Sequence, residues 1–262
     1  MLRRGGVVFD EEKGRFYIDW RTTHSYIVAT LQLESVLEAA KYAKGRLLDV
    51  GCGNKPFLHI FKGNVSRHFG IDLPSTRHIN FEIDAFASGD DIPFKDGSFD
   101  TILTTSVLEH VKEPQKMFDE MHRVLKKGSY LILTTPCQYG LHEQPYDFFR
   151  YTKYGLRMMA EKSGFKIVYI KPLGGAFVIV TQLIAKYLSI FLYAVLEKIR
   201  GNKIDNKEGF RNIKKNIVIQ LVSFIPQKLF LILYHLGFRR LDNLSAEVDP
   251  CLYVMVARKK KQ

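Results

Sequence analysis

The sequence is poor in cysteine and tryptophan, with three cysteines and one tryptophan among 262 residues. Cys52, Cys137 and Cys251 lie far apart and form no CxxC pair. Disulfide frameworks and zinc sites use numerous or closely spaced cysteines, so this spacing argues against both and favours a reducing, cytoplasmic environment. The N-terminal stretch MLRRGGVVFDEEKGRF has no apolar run behind its arginines, so we expect no secretory signal.

The charge is unbalanced toward lysine and arginine, with a formal net charge of +12. A positive balance is compatible with nucleic acid, an anionic membrane surface or an anionic substrate. The basic residues are scattered, however, and the densest run is the C-terminal tail RKKKQ, so an ordinary solvated surface explains the charge equally well. The hydrophobic share of 46% suits one globular domain, or one domain with a large insertion.

Short apolar runs alternate with helical stretches through the middle of the chain. A first helical pattern, Thr22 to Lys44, ends at Gly45, a residue suited to a helix C-cap. Buried strands that alternate with helices predict an α/β fold with a parallel sheet and helices on both faces. The predicted strands are Arg46–Val50, His68–Leu73, Ile79–Ile83, Phe99–Thr104, Tyr130–Thr134 and Phe165–Lys171, and the predicted helices are Pro56–Phe61, Pro114–Leu125 and Thr152–Lys162.

The stretch RLLDVGCGNKPF turns sharply at the end of the first predicted strand. Gly51 and Gly53 permit a tight turn and leave no Cβ between the backbone and a ligand above the sheet. A dinucleotide-binding fingerprint would have a third glycine where Pro56 stands, so the sequence does not predict a diphosphate cradle. The turn is therefore either a close approach to another kind of ligand or a purely structural turn.

Two acids follow at the ends of the next two predicted strands. Asp72 comes about 20 residues after the glycines, where a carboxylate can accept hydrogen bonds from both hydroxyls of a ribose. Asp84 and Ala85 end the third strand, where a carboxylate can accept from an adenine amino group and Phe86 can pack on the ring. Each acid alone is also explained as a loop or capping residue, but the successive strand ends together predict an adenosine pocket.

These residues resemble the ordered motifs of class I S-adenosylmethionine-dependent methyltransferases, in the variety with a type 11 methyltransferase domain. The motifs are LLDVGCGNKP, GIDL, EIDAFASGDDIPFKDGSFDTILTTSVLEHV and EMHRVLKKGSYLILTTP, over roughly residues 46–171. The resemblance implies a Rossmann-like methyltransferase fold, with a mostly parallel seven-stranded sheet whose last strand, Leu252–Arg258, runs antiparallel. It also implies S-adenosyl-L-methionine as the cofactor and methyl transfer as the reaction.

Carried over position by position, the resemblance assigns parts of the cofactor to the strand ends. The glycine turn and the acid before it would line the methionine part, and the acids of the next two strands would hold the ribose and face the adenine. The backbone after the fourth strand would close the pocket. The implied cofactor-binding residues are Asp49, Gly51, Gly53, Asp72, Leu73, Asp84, Ala85, Thr105 and Ser106.

Candidate catalytic residues lie in two short segments, VLEHV and HEQPYDFFRYT. His142 is the first candidate for a general base, because its ordinary pKa suits neutral pH, and Glu143 and His110 complete the catalytic set. His142 can instead be a hydrogen-bonded surface residue, and His110 a structural one. A zinc-protease HExxH pattern fails because its last position is Tyr146, so we predict no metal site.

The second segment also supplies the candidate acceptor contacts, Tyr146, Arg150 and Tyr151. Arg150 suits a phosphate or carboxylate on the acceptor, but it can equally pair with Asp147 and hold the loop. The segment and the YGLRMMAEKSGFKI that follows resemble a methyltransferase branch associated with bacterial cell-surface polysaccharides. That resemblance implies O-methylation of a sugar or a lipid-linked glycan.

A hydrophobic helical insertion interrupts the end of the predicted sheet. The chain divides into an N-terminal segment and helix (1–45), a methyltransferase core (46–173), the insertion (174–248), and the last core strand with a basic tail (249–262). The apolar runs Gly174–Leu196 and Ile217–Phe238 are of borderline length for membrane spans, and Pro226, Gln227 and Lys228 count against the second. The insertion is therefore a lid over the acceptor, a pair of helices at an anionic membrane surface, or a hairpin of two spans.

The function predicted from these features is methyl transfer to a small-molecule or lipid-linked glycan acceptor, in the cytoplasm or peripherally on the inner face of the cell membrane. One alternative is methylation of a quinone-like or other lipid precursor. Another is a catalytically silent cofactor-binding module that tethers an assembly to the membrane. Nucleic-acid methylation is disfavoured, because the residues after the fourth strand are TTSV and no target-reading domain is present.

Overall fold

A seven-stranded sheet forms the centre of the computed structural model, which describes residues 2–4, 6–10, 12–19, 25–74, 83–201 and 217–260. The strand order is β6-β5-β4-β7-β8-β10-β9. The predicted α/β fold with a Rossmann-like sheet is confirmed. The strands are β4 (Gly45–Val50), β5 (Val65–Asp72), β6 (Ala85–Phe86), β7 (Phe99–Thr105), β8 (Leu125–Pro136), β9 (Phe165–Leu173) and β10 (Leu252–Lys259).

The order of the strands reverses at β4. β4 pairs in parallel with β5 on one side and with β7 on the other, so Leu48 lies between Phe69 and Ile102. β10 runs antiparallel to both β8 and β9, as the resemblance implied for the last strand. Most of the predicted strand Ile79–Ile83 lies outside the described residues, and β6 begins just after it. In open α/β sheets, ligands bind at the carboxyl ends of the strands beside such a reversal. We call this side of the sheet the carboxyl edge.

Helices cover both faces of the sheet. α1 (Tyr26–Ala39), which a short 3₁₀ turn (Ala40–Tyr42) extends, packs with α2 (Leu58–Phe61) on one face. α3 (Pro114–Val124) and α4 (Lys153–Lys162) pack on the other face. α3 buries an apolar stripe at helical spacing, the pattern that predicted it. The stripe consists of Met117, Phe118, Met121 and Val124.

The N-terminal segment contains a small sheet that the sequence analysis missed. β1 (Leu2–Arg4), β2 (Val7–Asp10) and β3 (Arg15–Ile18) form a three-stranded antiparallel meander. Val7 and Ile18 pack into the same core as α1. These strands are too short for their alternation to stand out in the sequence.

The insertion between β9 and β10 consists of α5 (Ala176–Ile199), α6 (Ile217–Leu233), a π-helical turn (Tyr234–Phe238) and α7 (Arg239–Ala246). Residues 202–216, with most of the basic stretch between the apolar runs, lie outside the described residues. By length and composition, two of the described helical stretches are long and apolar enough to cross a membrane, 176–199 and 218–246.

Buried polar side chains attach the insertion to the rest of the chain. The buried carboxylate of Asp242 accepts hydrogen bonds from the backbone N–H of Gly175 (2.8 Å) and Val178 (3.3 Å), at the start of α5. Gln227 is fully buried, and its Oε1 accepts from the backbone N–H of Ile27 at the start of α1 (3.1 Å). Gln227, which counted against a membrane span, therefore belongs to a contact between α6 and α1.

Candidate active site

The glycine turn follows β4 at the carboxyl edge and has room for no larger residue at its first position. Gly51 has a φ of 70°, and a Cβ built there would lie 2.3 Å from Cγ2 of Val107. Gly53 has a φ of 48° and donates its backbone N–H to Oδ2 of Asp72 (2.7 Å). The turn is thereby held against the loop after β7 and against the end of β5.

Asp72 lies at the end of β5, where the resemblance places the ribose. Its Oδ1 accepts from the backbone N–H of Leu73 (2.7 Å) and its Oδ2 from Gly53. A carboxylate can accept several hydrogen bonds at once, which is the property that the predicted ribose contact requires. In the parallel pairing of β5 with β6, Asp72 lies beside Phe86. Leu73 and Phe86 are 46% and 61% exposed, so apolar surface for a flat ring lies next to the carboxylate.

Asp84 is engaged by a lysine that the sequence analysis did not single out. Lys55 is buried, has a φ of 46°, and places its Nζ 2.6 Å from Oδ2 of Asp84. The same oxygen accepts from the backbone N–H of Gly70 (2.8 Å). Burial acts to raise the pKa of Asp84, but these two hydrogen bonds lower it more, so the carboxylate stays ionised. An adenine contact would have to use the other oxygen of Asp84. Ala85, the next residue, is half-buried.

Asp49 is buried near the end of β4 and forms a pair with a histidine. Its Oδ2 lies 3.0 Å from Nε2 of His68 on β5, and both side chains are almost fully enclosed. The pair joins the neighbouring strands β4 and β5 just before the glycine turn. The contact with the methionine part that the resemblance implied for Asp49 stays a prediction.

The segment after β7 lies against the glycine turn. Ser106 has a φ of 54°, a conformation rare for a residue with a Cβ, and its backbone N–H bonds to the carbonyl of Thr134 (2.9 Å). Gln32 of α1 donates to the hydroxyls of Ser106 (3.1 Å) and Thr134 (2.7 Å). Thr105 and Ser106 thus lie at the carboxyl edge, where their predicted role would require them.

Two histidines and a glutamate meet next to this segment. His110 follows β7 and His142 follows β8, and their Nε2 atoms lie 3.1 Å apart. Oε1 of Glu109 is 3.8 Å from each of these nitrogens. Glu109 is fully buried, and Oε1 has no hydrogen-bond partner among the described residues, whereas Oε2 accepts from the hydroxyl of Thr135 (3.1 Å). We call Glu109, His110 and His142 the histidine cluster.

The loop that carries His142 is held by an arginine and an aspartate. Arg150 donates to both carboxylate oxygens of Asp147 (2.6 and 2.8 Å) and to the carbonyls of Tyr139 (3.0 Å) and Gly140 (3.1 Å). Asp147 in turn accepts from the backbone N–H of His142 (2.9 Å), and the Arg150 hydrogen bond keeps the pKa of that carboxyl well below its usual range. Of the two roles considered for Arg150, the structure shows the one that holds the loop.

The remaining predicted residues of this loop are divided between surface and core. Glu143 and Tyr146 are exposed, and Glu143 lies in a turn with a φ of 51°, outside the histidine cluster. The backbone carbonyl of Tyr146, however, contacts Nδ1 of His110 (2.6 Å). Tyr151 is buried and donates its hydroxyl to the carbonyl of Leu108 (3.0 Å), so its position does not support the predicted substrate contact. Glu109 was absent from the predicted catalytic set.

Comparisons with known proteins agree with this architecture. Residues 48–133 match the sequence family described as a methyltransferase domain. An uncharacterised protein of Methanocaldococcus jannaschii is 34% identical over 102 residues, which cover 38% of this chain and 50% of that protein. An uncharacterised methyltransferase of Mycobacterium leprae is 35% identical over 97 residues, 34% of this chain and 36% of that one. The chain thus spans half or less of the length of these relatives.

A solved structure extends the likeness to nearly the whole chain. A SAM-dependent methyltransferase of Archaeoglobus fulgidus is similar over 92% of this chain and 96% of its own, with a TM-score of 0.52 and 17% identity. Likeness at this identity establishes the class I methyltransferase fold. Together with the family match, it means that the chain carries a methyltransferase domain of the S-adenosylmethionine-dependent class, with S-adenosyl-L-methionine as methyl donor.

Proposed function

We propose that the protein transfers the methyl group of S-adenosylmethionine to a hydroxyl of a lipid-linked glycan at the cytoplasmic surface of a membrane. The observation that supports this most is the apolar surface of the insertion beside the histidine cluster. The whole protein's activity rests on the methyltransferase domain, and the acceptor class rests on that surface and on the sequence of the His142 loop.

The apolar surface lies on the outer side of α5 and α6. Their inner sides pack on the domain, where Val178 and Leu231 join the core of α1. The outer side chains stay exposed, and Phe191 is 65% exposed. Contiguous exposed apolar surface marks a membrane or partner contact. We call this surface the outer face; its most exposed members include Ile184, Tyr187, Phe191, Val218, Ile225 and Leu229.

The choice among the three predicted roles of the insertion follows from these contacts. A lid would bury its apolar side chains against the acceptor, and a spanning hairpin would leave the domain, whereas α5 and α6 lie along the domain through buried residues. Exposed basic residues at the helix ends, Lys198, Arg200 and Arg239, complement anionic lipid headgroups. This arrangement favours a pair of interfacial helices.

Helix α5, which carries part of the outer face, contacts the loop of His142, and this contact supports a route for the acceptor to the site. Lys186 of α5 approaches the His142 loop so closely that a Cβ built on Gly140 would lie 3.1 Å from its Nζ. Gln182 of α5 donates to the hydroxyl of Ser25 (3.1 Å), which also bonds to Tyr139 of the loop (2.6 Å). A lipid-linked headgroup at the membrane surface would therefore reach the loop without leaving the lipid.

The proton of the acceptor hydroxyl requires an acceptor group at the site. S-adenosylmethionine, when bound, supplies an activated methyl group, so the chain must align the hydroxyl and receive its proton. Burial acts to lower the pKa of His142, but the carboxylates of Glu109 and Asp147 raise it more. His142 therefore remains the first candidate for this role, with His110 and Glu109 beside it.

The acceptor class is tested by methyl transfer from tritiated S-adenosylmethionine into fractionated extract of the source cells. We expect label in the organic-solvent phase, with Asp72→Ala as the inactive control. Label in a quinone-like lipid would favour the first alternative, and label in water-soluble glycan would contradict the lipid-linked acceptor. Donor binding without any transfer above the control would favour the silent tethering module.

The membrane contact is tested separately by flotation with vesicles of phosphatidylcholine and 30% phosphatidylglycerol at low salt. We expect the protein to float with these vesicles and less with pure phosphatidylcholine. A monodisperse protein that stays at the bottom of the gradient with both vesicle types would exclude the interfacial role. Donor binding by the same preparation shows that the protein is folded.

A further inference from the structure

The histidine cluster brings three electron-rich atoms together at one point. Nδ1 of His110 lies 2.6 Å from the carbonyl of Tyr146, an oxygen that only accepts hydrogen bonds, so this nitrogen carries a proton. Nδ1 of His142 lies 3.2 Å from the carbonyl of Gly140 and 3.4 Å from both Oδ2 of Asp147 and Nη2 of Arg150. When the proton of each neutral ring is on Nδ1, as the shorter carbonyl contacts favour, both Nε2 atoms present lone pairs to each other.

Glu109 adds a third electron-rich atom at the same point. Its Oε1 is fully enclosed, has no hydrogen-bond partner among the described residues, and lies 3.8 Å from both Nε2 atoms. A buried carboxylate oxygen without a partner is costly, and residues around it must offer a compensating charge. Lone pairs of two neutral histidines do not offer one, so the point where the three atoms meet calls for positive charge, either a proton on His142 or a bound cation.

The spacing of the three atoms suits a metal ion. Zinc binds imidazole nitrogen at about 2.0–2.1 Å, so two nitrogens on one ion lie about 2.9–3.4 Å apart for angles between octahedral and tetrahedral. The Nε2 atoms of His110 and His142 are 3.1 Å apart. The ligand atoms of all three residues lie within 4.8 Å of one another, so Glu109 would need only a small shift to complete the site.

The atoms that would not touch the ion are also engaged as in metal sites. Histidines that bind metals usually donate their other ring N–H to a carbonyl or carboxylate, which fixes the ring and its tautomer. His110 and His142 both place Nδ1 within hydrogen-bond distance of a backbone carbonyl, and Oε2 of Glu109 accepts from the hydroxyl of Thr135 (3.1 Å). All three side chains are thus oriented with one atom directed at a common point.

We propose that Glu109, His110 and His142 bind one divalent transition-metal ion. Two imidazoles and one carboxylate favour a first-row metal such as Zn²⁺, Co²⁺ or Mn²⁺ over Mg²⁺ or Ca²⁺, which prefer oxygen ligands. Three protein ligands leave coordination positions open for water or substrate. With an acceptor hydroxyl in an open position, the ion lowers the pKa of that hydroxyl. This last consequence rests on the proposed function, whereas the metal site itself does not.

The proposal revises the prediction that the chain has no metal site. That prediction tested only the spacing of the cysteines and the HExxH spacing that begins at His142. The structure instead joins His142 to Glu109 and His110, which precede it by more than 30 residues and follow a different strand. When the ion is bound, the Nε2 lone pair of His142 is occupied, so His142 would act as a metal ligand and not as the base. A hydroxyl bound to the ion would then lose its proton to water.

The test is a titration of tag-free, chelator-treated protein with CoCl₂, followed by visible absorption, in the absence of donor and acceptor. We expect one Co²⁺ per chain with ligand-field bands that ZnCl₂ displaces. His142→Ala should lower the Co²⁺ affinity at least about 100-fold, since loss of a ligand costs more than loss of a supporting hydrogen bond. Glu109→Gln should weaken binding in the same direction.

Controls separate the site from general histidine binding and from misfolding. His235 is an exposed histidine of the insertion, and His235→Ala should leave the Co²⁺ titration unchanged. His142 is in a surface loop, so its variant should keep the circular dichroism spectrum and the donor affinity of the wild type. Equal Co²⁺ binding by wild type and His142→Ala would overturn the proposal. A wild-type protein that binds S-adenosylmethionine but shows no cobalt bands would also overturn it and leave the proposed function standing.

Discussion

The carboxyl edge of the sheet and the helical insertion differ in how far the chain itself supplies partners for their side chains. At the carboxyl edge, each acid has a partner inside the chain: Asp49 with His68, Asp72 with Gly53, and Asp84 with Lys55. In the insertion, a few buried polar groups fix the helices while many large apolar side chains remain exposed. These three acids are held by contacts inside the chain, whereas the large apolar side chains of the outer face stay exposed.

This difference separates a site that needs precise geometry from a surface that needs little. A donor site needs rigid backbone and oriented carboxylates, which the strands and their turns provide. A membrane contact needs only apolar area and positive charge, with little geometric precision. If the two regions are distinct, changes in one should leave the other intact.

The largest effect should come from the outer face. Changing Ile184, Tyr187 and Phe191 together to Ser removes apolar area worth at least about 1 kcal/mol per side chain at the membrane, so vesicle affinity should fall about 100-fold or more. Donor affinity should not change. A matched control changes Tyr154 and Met158, which are equally exposed on α4. If that control reduces vesicle flotation as much as the triple variant, the outer face is not the membrane contact.

The next effect concerns the glycine turn. Gly51→Ala should destabilise the fold by about 1–3 kcal/mol, because the new Cβ overlaps Val107 and the φ of 70° strains any L-residue. Gly97 is the matched control, since its φ is 61° and a Cβ there meets nothing within 4 Å. The difference between the two alanine variants in urea unfolding isolates the steric part. Equal losses would mean that Val107 does not press on the turn.

An effect of similar size is expected at the base of the insertion. Asp242→Ala leaves the N–H groups of Gly175 and Val178 without their acceptor, which should cost about 1–3 kcal/mol in the free energy of unfolding. Asp249→Ala changes a nearby acid outside this contact and should have little effect. Chemical denaturation measures both. An Asp242→Ala protein as stable as the wild type would show that α7 does not hold α5.

The smallest effect is a pH dependence within the methyltransferase core. The hydrogen bond from Arg123 lowers the pKa of Glu120. Glu120 therefore contributes its full stabilisation at pH values above the ordinary glutamate pKa of about 4.3. That contribution is lost as pH falls through the lowered pKa of the folded state. The difference in unfolding free energy between wild type and Glu120→Gln should therefore shrink between neutral pH and pH 3. A difference that is constant with pH would contradict the assignment.

The sheet and the position of the glycine turn were largely readable from the sequence because their signals are local. A hydrophobic run that ends in Asp49, Gly51 and Gly53 defines a strand and its turn within a few residues. Asp72 follows at the next strand end, and parallel strands bring their carboxyl ends to one edge. The alternation of strands and helices was therefore enough to predict the fold, and the resemblance of the ordered motifs to class I methyltransferases implied the cofactor.

The histidine cluster and the Lys55–Asp84 pair were not readable, because both depend on tertiary contacts. His110 and His142 follow different strands, and nothing in either local pattern shows that their Nε2 atoms meet. Lys55 directly follows a glycine turn, where a lysine usually extends into solvent, so its burial had no sequence signal. The burial of Gln227 was not readable either. Its amide is buried because α6 packs against α1, which the local sequence does not show.

The central claim is that the carboxyl edge binds S-adenosylmethionine through Asp72, and isothermal titration calorimetry of S-adenosylmethionine into the purified protein tests it most directly. We predict one donor per wild-type chain. Asp72→Ala should bind about 100-fold more weakly, because two hydrogen bonds to a charged group are lost, while it keeps the wild-type circular dichroism spectrum. A folded wild-type protein that binds no donor, or an Asp72→Ala protein with unchanged affinity, would contradict the account.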